Sequence, residues 1–251
     1  MHLLPDPPLA PYCTPAVICS DTHTLPLSLP ATRAALRLEI VSDVICPWCY
    51  IAKRQLALAL AQLGQDLQVE LVWRPFQLNP TLPPEGIARA EYLAQKFGSL
   101  AHAEARYAPI SAAAARCGLP FNPALIKRVP NTLNAHRLIA YSARYKTQGT
   151  FVAALFNAYF VDGRDLGQRE VLVELAQGAG LDGEKVRIFL AGSDGENEVR
   201  AAEAAAHRLS ISSVPAFVID GQYLFSGAQD PGTLVPLLRN LHARFGTTVL
   251  R

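Results

Sequence analysis

Four consecutive residues, Cys46-Pro47-Trp48-Cys49, place two thiols at a spacing where they can act on one another. A dithiol of this kind can form and break a disulfide. One thiolate attacks a substrate disulfide, and the second then attacks the mixed disulfide that results. The same spacing also serves zinc, but a zinc site needs a second pair of ligands. The other close cysteines, Cys13 and Cys19 with His23 nearby, lie in a proline-rich stretch far upstream. A third reading, two inert packing cysteines, leaves Pro47 and Trp48 as costly choices for a mere packing turn.

The chemistry depends on what holds the two sulfurs. Residues 36–42 (LRLEIVS) alternate apolar and polar side chains, the pattern of a strand. Asp43 to Ile45 lead into the motif, and a helical pattern runs from Pro47 to about Leu63, stopping at Gly64. Cys46 is then the N-cap and Pro47 the first helical residue, where a missing N–H costs nothing. Cys49 is the third. A sulfur at the N-cap faces free N–H groups and the positive end of the helix dipole, which lowers a thiol from its free value of about 8.5. Cys46 is therefore the expected nucleophile, and Cys49, one turn in and beneath it, the resolving thiol.

Residues 67–73 (LQVELVW) read as a second strand, and a loop from Asn79 to Gly86 closes this first unit. From 87 to 210 nearly every segment is helical in pattern, with helices expected over 87–97, 100–116, 132–147, 151–161, 168–177, 183–191 and 196–209. Strands return at 215–219 and 223–226, joined by Asp220-Gly221, a two-residue hairpin signal. A last helix runs from about Thr233 to Arg244. The order is that of an α/β sheet interrupted by an all-helical insertion. The division expected is a proline-rich arm over 1–35, a sheet-bearing domain over 36–86 and 211–251, and a helical insertion over 87–210.

Composition narrows the classes of function. Half of the residues are hydrophobic and 18% are charged, with a net charge of +2, which is the composition of a folded globular chain. No apolar run is long enough for a membrane helix, and no basic tract suits nucleic acid. Five cysteines are too few and odd in number for a secreted disulfide framework. Prolines at 5, 7, 8, 11, 15, 26 and 30 prevent the helical apolar stretch of a secretory signal, so the expected location is the cytoplasm, where thiols stay reduced.

The run SDVICPWCY (Ser42–Tyr50) resembles the active-site segment of the DsbA family within the thioredoxin superfamily. Four further runs resemble the FrnE-like subgroup of that family: WRPFQLNP (Trp73–Pro80), NTLNAHRL (Asn131–Leu138), LFNAYFVDGRDL (Leu155–Leu166) and SVPAFVIDGQYLFSGAQ (Ser213–Gln229). The likeness covers roughly residues 36–245. It implies a thioredoxin fold with a large all-helical insertion. It also implies that Val214–Pro215 is a cis-proline loop facing the cysteines. Pro47, Trp48, Val214 and Pro215 then contact substrate or tune the pair. Read without the resemblance, Pro215 is an ordinary trans proline opening an edge strand. Family members often carry an acid near the buried cysteine that handles its proton. Glu39 and Asp43 are the two candidates, each equally readable as a solvated surface carboxylate.

The expected activity is that of a thiol–disulfide oxidoreductase or protein disulfide isomerase acting on disulfide-containing or unfolded protein substrates, with chaperone activity as a companion. No cofactor is expected beyond the redox-active disulfide, with glutathione or a thioredoxin system as reductant. No metal is expected, and the oligomeric state is left open. No histidine lies between the cysteines, so the pair should be less oxidising than DsbA itself, at about −120 mV.

Kappa-class glutathione transferases and 2-hydroxychromene-2-carboxylate isomerases share the implied fold and resemble the chain around Asn79-Pro80 and Asn131-Thr132. Their key residue is typically a serine at the position of Cys46, and their late Asp-Arg pair is replaced here by Gly227-Ala228-Gln229-Asp230. A glutathione-dependent isomerase or transferase is thus the first alternative, and a non-catalytic chaperone or metal-buffering protein the second. Cys13 and Cys19 are a candidate second redox pair or, with His23, a soft-metal site. Cys117 reads as a small buried hydrophobe. His136 and His207 read as packed or surface helix residues, His136 being the one placed to reach the cleft. Tyr92, Phe97, Tyr107, Phe121, Tyr159 and Phe160 are expected on helices, as core or as the lining of an apolar groove.

Overall fold

The structure, a computed structural model, describes residues 35–64 and 67–245. The proposed arm, with Cys13, Cys19 and His23, lies outside the described residues.

Strand β1 (Leu36–Ser42) buries Leu36, Leu38 and Ile40 on one face, while Arg37 is exposed and Glu39 half-buried. Its last two residues are buried as well, the mark of a strand that enters the interior. Helix α1 (Pro47–Leu63) crosses over and returns the chain to β2 (Val69–Pro75), which pairs with β1 in parallel, Leu36 opposite Val69 and Ser42 opposite Pro75. A parallel pair needs such a crossover. The strand lies two residues later than the alternation over 67–73 suggests. Pairing with β1 carries it on through Arg74, and Pro75 is tolerated because β2 is an edge.

The next stretch opens with a pairing that periodicity could not reveal. Strand β3 (Ile87–Ala88) meets β4 (Arg128–Val129) antiparallel, each only two residues long. Around it lie α2 (Arg89–Phe97), α3 (Leu100–Arg116), α4 (Leu133–Ala143), α5 (Gln148–Phe160), α6 (Arg169–Gly178), α7 (Gly183–Ala191) and α8 (Glu196–Arg208). The chain then re-enters the sheet with β5 (Ala216–Ile219) and β6 (Gln222–Ser226) and ends in α9 (Pro231–Phe245). The sheet order is β2-β1-β5-β6, with β5 antiparallel to both neighbours. Asp220 and Gly221 turn the hairpin with φ of 48° and 69°. Both angles lie in the left-handed region that a two-residue primed turn requires, and glycine and aspartate are the residues that accept it.

Helices α4, α5 and α8 contact β2, while α1 packs on α9. An aromatic cluster joins the two parts of the chain: Tyr50 of α1 stacks on Phe160 at 5.2 Å, and Phe156 meets the edge of Trp73 at 6.1 Å. Tyr159 and Phe160 are therefore core and line no groove. Phe121 lies in a loop, not a helix, but packs against the same core.

The free edge of β2 is closed by a side chain. Gln148 accepts from the Trp73 N–H at 2.9 Å and donates to the Trp73 carbonyl at 3.2 Å, standing in for a neighbouring strand.

Candidate active site

The sheet brings distant residues together at one point. Val41 of β1 pairs with Ala216 of β5, so the residues just after β1 lie beside those just before β5. The first are Asp43 to Cys46, and the second are Val214 and Pro215. The Val214–Pro215 bond is cis. The Cys46 Sγ lies 3.5 Å from the Val214 carbonyl oxygen, to which the thiol can donate.

Cys46 is the N-cap of α1, with extended backbone (φ −85°, ψ 114°), and Pro47 opens the helix. The Cys46 carbonyl accepts from the N–H groups of Cys49 and Tyr50 at 3.0 and 3.2 Å, which locks the first turn. Cys46 and Cys49 are buried, whereas the Trp48 indole is 38% exposed, and both cysteines stand as free thiols.

The two thiols are displaced in opposite directions. A hydrogen bond from the Cys49 thiol holds Cys46 below the ordinary thiol value, with the backbone N–H groups of Cys49 and Trp48 acting the same way, while burial and the Asp43 charge oppose it. Cys46 closes no side-chain capping hydrogen bond of ordinary geometry, so those N–H groups act on the sulfur as partial charges at longer range. Cys49 is pushed well above the ordinary value, first by burial and then by Cys46, against the Ser42 hydroxyl and the Asp43 backbone N–H. A negative charge on this pair therefore resides on Cys46, and Cys49 keeps its proton.

The two candidate acids part company. Glu39 is held by Arg74 through two hydrogen bonds of 2.8 and 2.9 Å and by Arg37 at 2.6 Å. Those guanidiniums, Arg74 first, keep its carboxyl below the usual carboxylate range. The cavity beside them, about 610 Å³ and lined by Trp73, Arg74, Lys146, Gln148 and Glu198, contains none of the cysteine loop. Asp43, by contrast, is fully buried at the start of that loop. Its Oδ2 accepts from the Leu78 N–H at 2.7 Å and its Oδ1 more weakly from the Ile45 N–H at 3.5 Å.

His136 of α4 completes this group, its Nε2 lying 3.3 Å from the Asp43 Oδ1. The sequence left His136 as a packed or surface helix residue able to reach the cleft and did not pair it with Asp43. The signal available was a histidine on an otherwise buried helix face, where a polar ring needs a partner. Its neighbour Arg137 is structural. It donates to the carbonyls of Phe189, Gly192 and Asp194 at the end of α7 and to the Asn134 side chain. Gly163 of the LFNAYFVDGRDL run is structural too. Its φ is +67°, and a Cβ there would lie 2.5 Å from the Leu125 carbonyl oxygen.

Cys117 is buried and its thiol points to the Ala113 and Ala114 carbonyls. His207 is exposed on α8, beside Phe76. Among the described residues, no three His, Cys, Asp or Glu side chains gather as a metal site would require, and no helix is long and apolar enough to cross a membrane.

The family model of the DSBA-like thioredoxin domain matches residues 37–239. Among solved structures, the chain is similar to a probable DsbA oxidoreductase of Streptomyces coelicolor, with 35% identity and a TM-score of 0.76, covering 86% of this chain and 93% of that one. A structure of a 2-hydroxychromene-2-carboxylate isomerase shares the fold at 15% identity and a TM-score of 0.61, covering 83% of this chain and 97% of that one. Among curated proteins, an uncharacterized protein of Bacillus subtilis (strain 168) is 26% identical over 198 residues, covering 77% of this chain and 90% of its own.

Proposed function

Because the chain belongs to the DSBA-like thioredoxin domain family, a family of thiol oxidoreductases, we propose that it exchanges disulfides through the Cys46–Cys49 dithiol, as a reductase or isomerase of protein substrates. The observation that carries this reading is the Cys46 thiol at the N-terminus of α1, 3.5 Å from the Val214 carbonyl oxygen beside the cis-proline bond, with Cys49 buried one turn behind it.

The Cys46 thiolate attacks one sulfur of a substrate disulfide. A Cys46–substrate disulfide forms, and the other substrate sulfur leaves as a thiolate that takes a proton from solvent. Cys49 then gives up its proton and attacks the Cys46 sulfur. The Cys46–Cys49 disulfide forms, and the first substrate sulfur is released as a thiol. In isomerisation a second substrate thiol does the resolving, and the dithiol is regenerated. A thiol reductant, glutathione or a thioredoxin-type dithiol, restores the reduced pair after reduction. Substrate in extended conformation can pair with the backbone of Val214 as an added strand, and Trp48, two residues after Cys46, is exposed to it.

Two features favour reduction or isomerisation over strong oxidation. No histidine separates the cysteines, and the buried Asp43 charge opposes the Cys46 thiolate. A weakly oxidising pair suits a reducing compartment such as the cytoplasm. Within this reading, the resemblance of the motif runs to FrnE-like proteins suggests that subgroup.

Insulin reduction with glutathione as electron source tests the proposal. Cys46→Ser abolishes turnover, and Cys49→Ser accumulates a mixed disulfide with substrate. Turnover retained in Cys46→Ser overturns the assignment. Glutathione-dependent isomerisation of a small aromatic compound that survives Cys49→Ser replaces it with the isomerase alternative.

A further inference from the structure

Among the described residues, the Asp43–His136 couple is a buried polar pair of side chains that the exchange steps leave without a task. Both residues are almost wholly buried, at 0% and 1% side-chain exposure, and they come from the β1–α1 loop and from α4. Every contact of the Asp43 carboxylate is with a donor: the Leu78 N–H, the Ile45 N–H and the His136 Nε2. An ionised carboxylate accepts all three, whereas a protonated one could donate only to a bare Nε2, which would move the ring proton to Nδ1. The other ring nitrogen, His136 Nδ1, is buried and has no partner. A proton there would be a buried N–H without an acceptor. The arrangement that satisfies both residues has a neutral ring, with the proton on Nε2 donated to Asp43, and a carboxylate whose charge is not cancelled.

That charge stands next to the dithiol. Asp43 lies three residues before Cys46, and its carbonyl accepts from the Cys46 N–H at 3.1 Å. We infer that His136 is a positioning residue for the dithiol: by donating to Asp43 while staying neutral, it keeps a fixed negative charge behind Cys46 that disfavours the thiolate and so holds the pair toward the reducing end. The Asp43 charge raises the Cys46 thiol, in agreement with this geometry. The inference rests on the dithiol reading given above.

Several other titratable groups on the elements around the couple have partners of their own. On α5, the Tyr159 hydroxyl donates to the Arg128 carbonyl. On α8, Glu203 accepts from the Gln77 N–H and His207 lies beside Phe76. On β2, Arg74 is turned to Glu39, and on α6, Glu174 is paired with Arg164. On α4 itself, Arg137 is spent on the end of α7.

The test measures two quantities: the midpoint of Cys46 ionisation, followed by thiolate absorbance near 240 nm, and the equilibrium of the dithiol with glutathione disulfide. In the latter, one dithiol and one glutathione disulfide give the protein disulfide and two glutathione thiols. Asp43→Asn should lower the Cys46 midpoint and reduce the equilibrium constant for oxidation by roughly tenfold, about 30 mV for this two-electron couple. His136→Phe should shift both in the same direction by less. His136→Gln, which keeps a donor, should stay near wild type, and His136→Phe should add nothing in an Asp43→Asn background. Folded variants that leave both quantities unchanged, shift them the other way, or combine additively overturn the inference.

A measurement on the unaltered protein decides the matter even where a variant does not fold. The ¹⁵N shifts of the His136 ring in the reduced protein should report an Nε2–H tautomer with Nδ1 bare, and an imidazolium or an Nδ1–H tautomer there overturns the inference. A wild-type dithiol with no reversible transition would instead remove the underlying functional reading. A reversible transition insensitive to both residues removes only this inference.

Discussion

The Cys46 sulfur and the Val214 carbonyl oxygen lie 3.5 Å apart although 168 positions separate them in the chain. The antiparallel pairing of β1 with β5 produces this contact, because the two loops leave the same end of the two strands. The proposed nucleophile thereby stands next to the backbone on which, in the proposed function, an extended substrate would lie. A deep pocket is unnecessary for such a substrate. Accordingly, the 610 Å³ cavity at the edge of β2 belongs to a different part of the surface.

The reactivity of the two thiols should diverge with pH. Cys46, held down chiefly by the Cys49 thiol, should react with iodoacetamide with a midpoint below that of a free thiol, and Cys49 should remain unmodified under the same conditions. Peptide mapping after timed alkylation between pH 5 and 9 measures this. Equal labelling of both cysteines at neutral pH would contradict it.

Cys49 also predicts an alkaline loss of stability. Its folded value is raised, so the reduced folded state keeps a proton that the unfolded chain releases above about pH 8.5. Its contribution is therefore present below that value and is lost as pH rises toward the raised folded value. Cys46, lowered in the fold, slopes the other way and offsets part of the effect. Urea titrations of the reduced protein from pH 7 to 10 should show a smaller alkaline decline in Cys49→Ala than in wild type.

Glu39→Gln should cost stability in an acid-sensitive way. The Arg74 hydrogen bonds lower the folded carboxyl. The wild-type advantage is thus complete above the unfolded value of about 4.3 and fades as pH falls through the lowered folded value. Arg74 is 41% exposed, so screening by solvent limits the effect to ~1 kcal/mol or less. Insulin reduction should be unchanged, since Glu39 is not among the groups acting on either cysteine. An equal loss at pH 3 and pH 7 would contradict the ion-pair account.

Arg137→Met should destabilise the fold strongly while sparing the dithiol. It strands the buried Phe189 carbonyl, and leaving a buried group unsatisfied costs about 1–3 kcal/mol, while the Gly192 and Asp194 carbonyls, on exposed residues, can turn to solvent. Chemical unfolding should therefore show a loss of about 1–3 kcal/mol, with alkylation of Cys46 in the folded protein unaltered. A loss under about 1 kcal/mol would show that water replaces the guanidinium.

The elements that carry the reaction were legible because they obey local rules. Alternation marked β1 over 36–42, and proline, apolar spacing and Gly64 marked α1 from 47 to 63, both with the observed bounds. Asp220-Gly221 marked its hairpin through the backbone angles those two residues accept. What was not legible depends on distant partners. The two-residue strands β3 and β4 have no period to read. The distinction between Glu39 and Asp43 required knowing that Arg74 of β2 stands beside the first and His136 of α4 beside the second. Sequence spacing favoured neither.

The most direct measurement of the central claim is the reduction potential of Cys46–Cys49, titrated in glutathione buffers and read by alkylation-dependent mass, with Trp48 fluorescence as a second signal. The account predicts one reversible two-electron transition between about −180 and −270 mV, absent from Cys46→Ser. A transition near −120 mV would make the pair a strong oxidant, and the absence of any reversible transition would mean that these two thiols are not a redox couple.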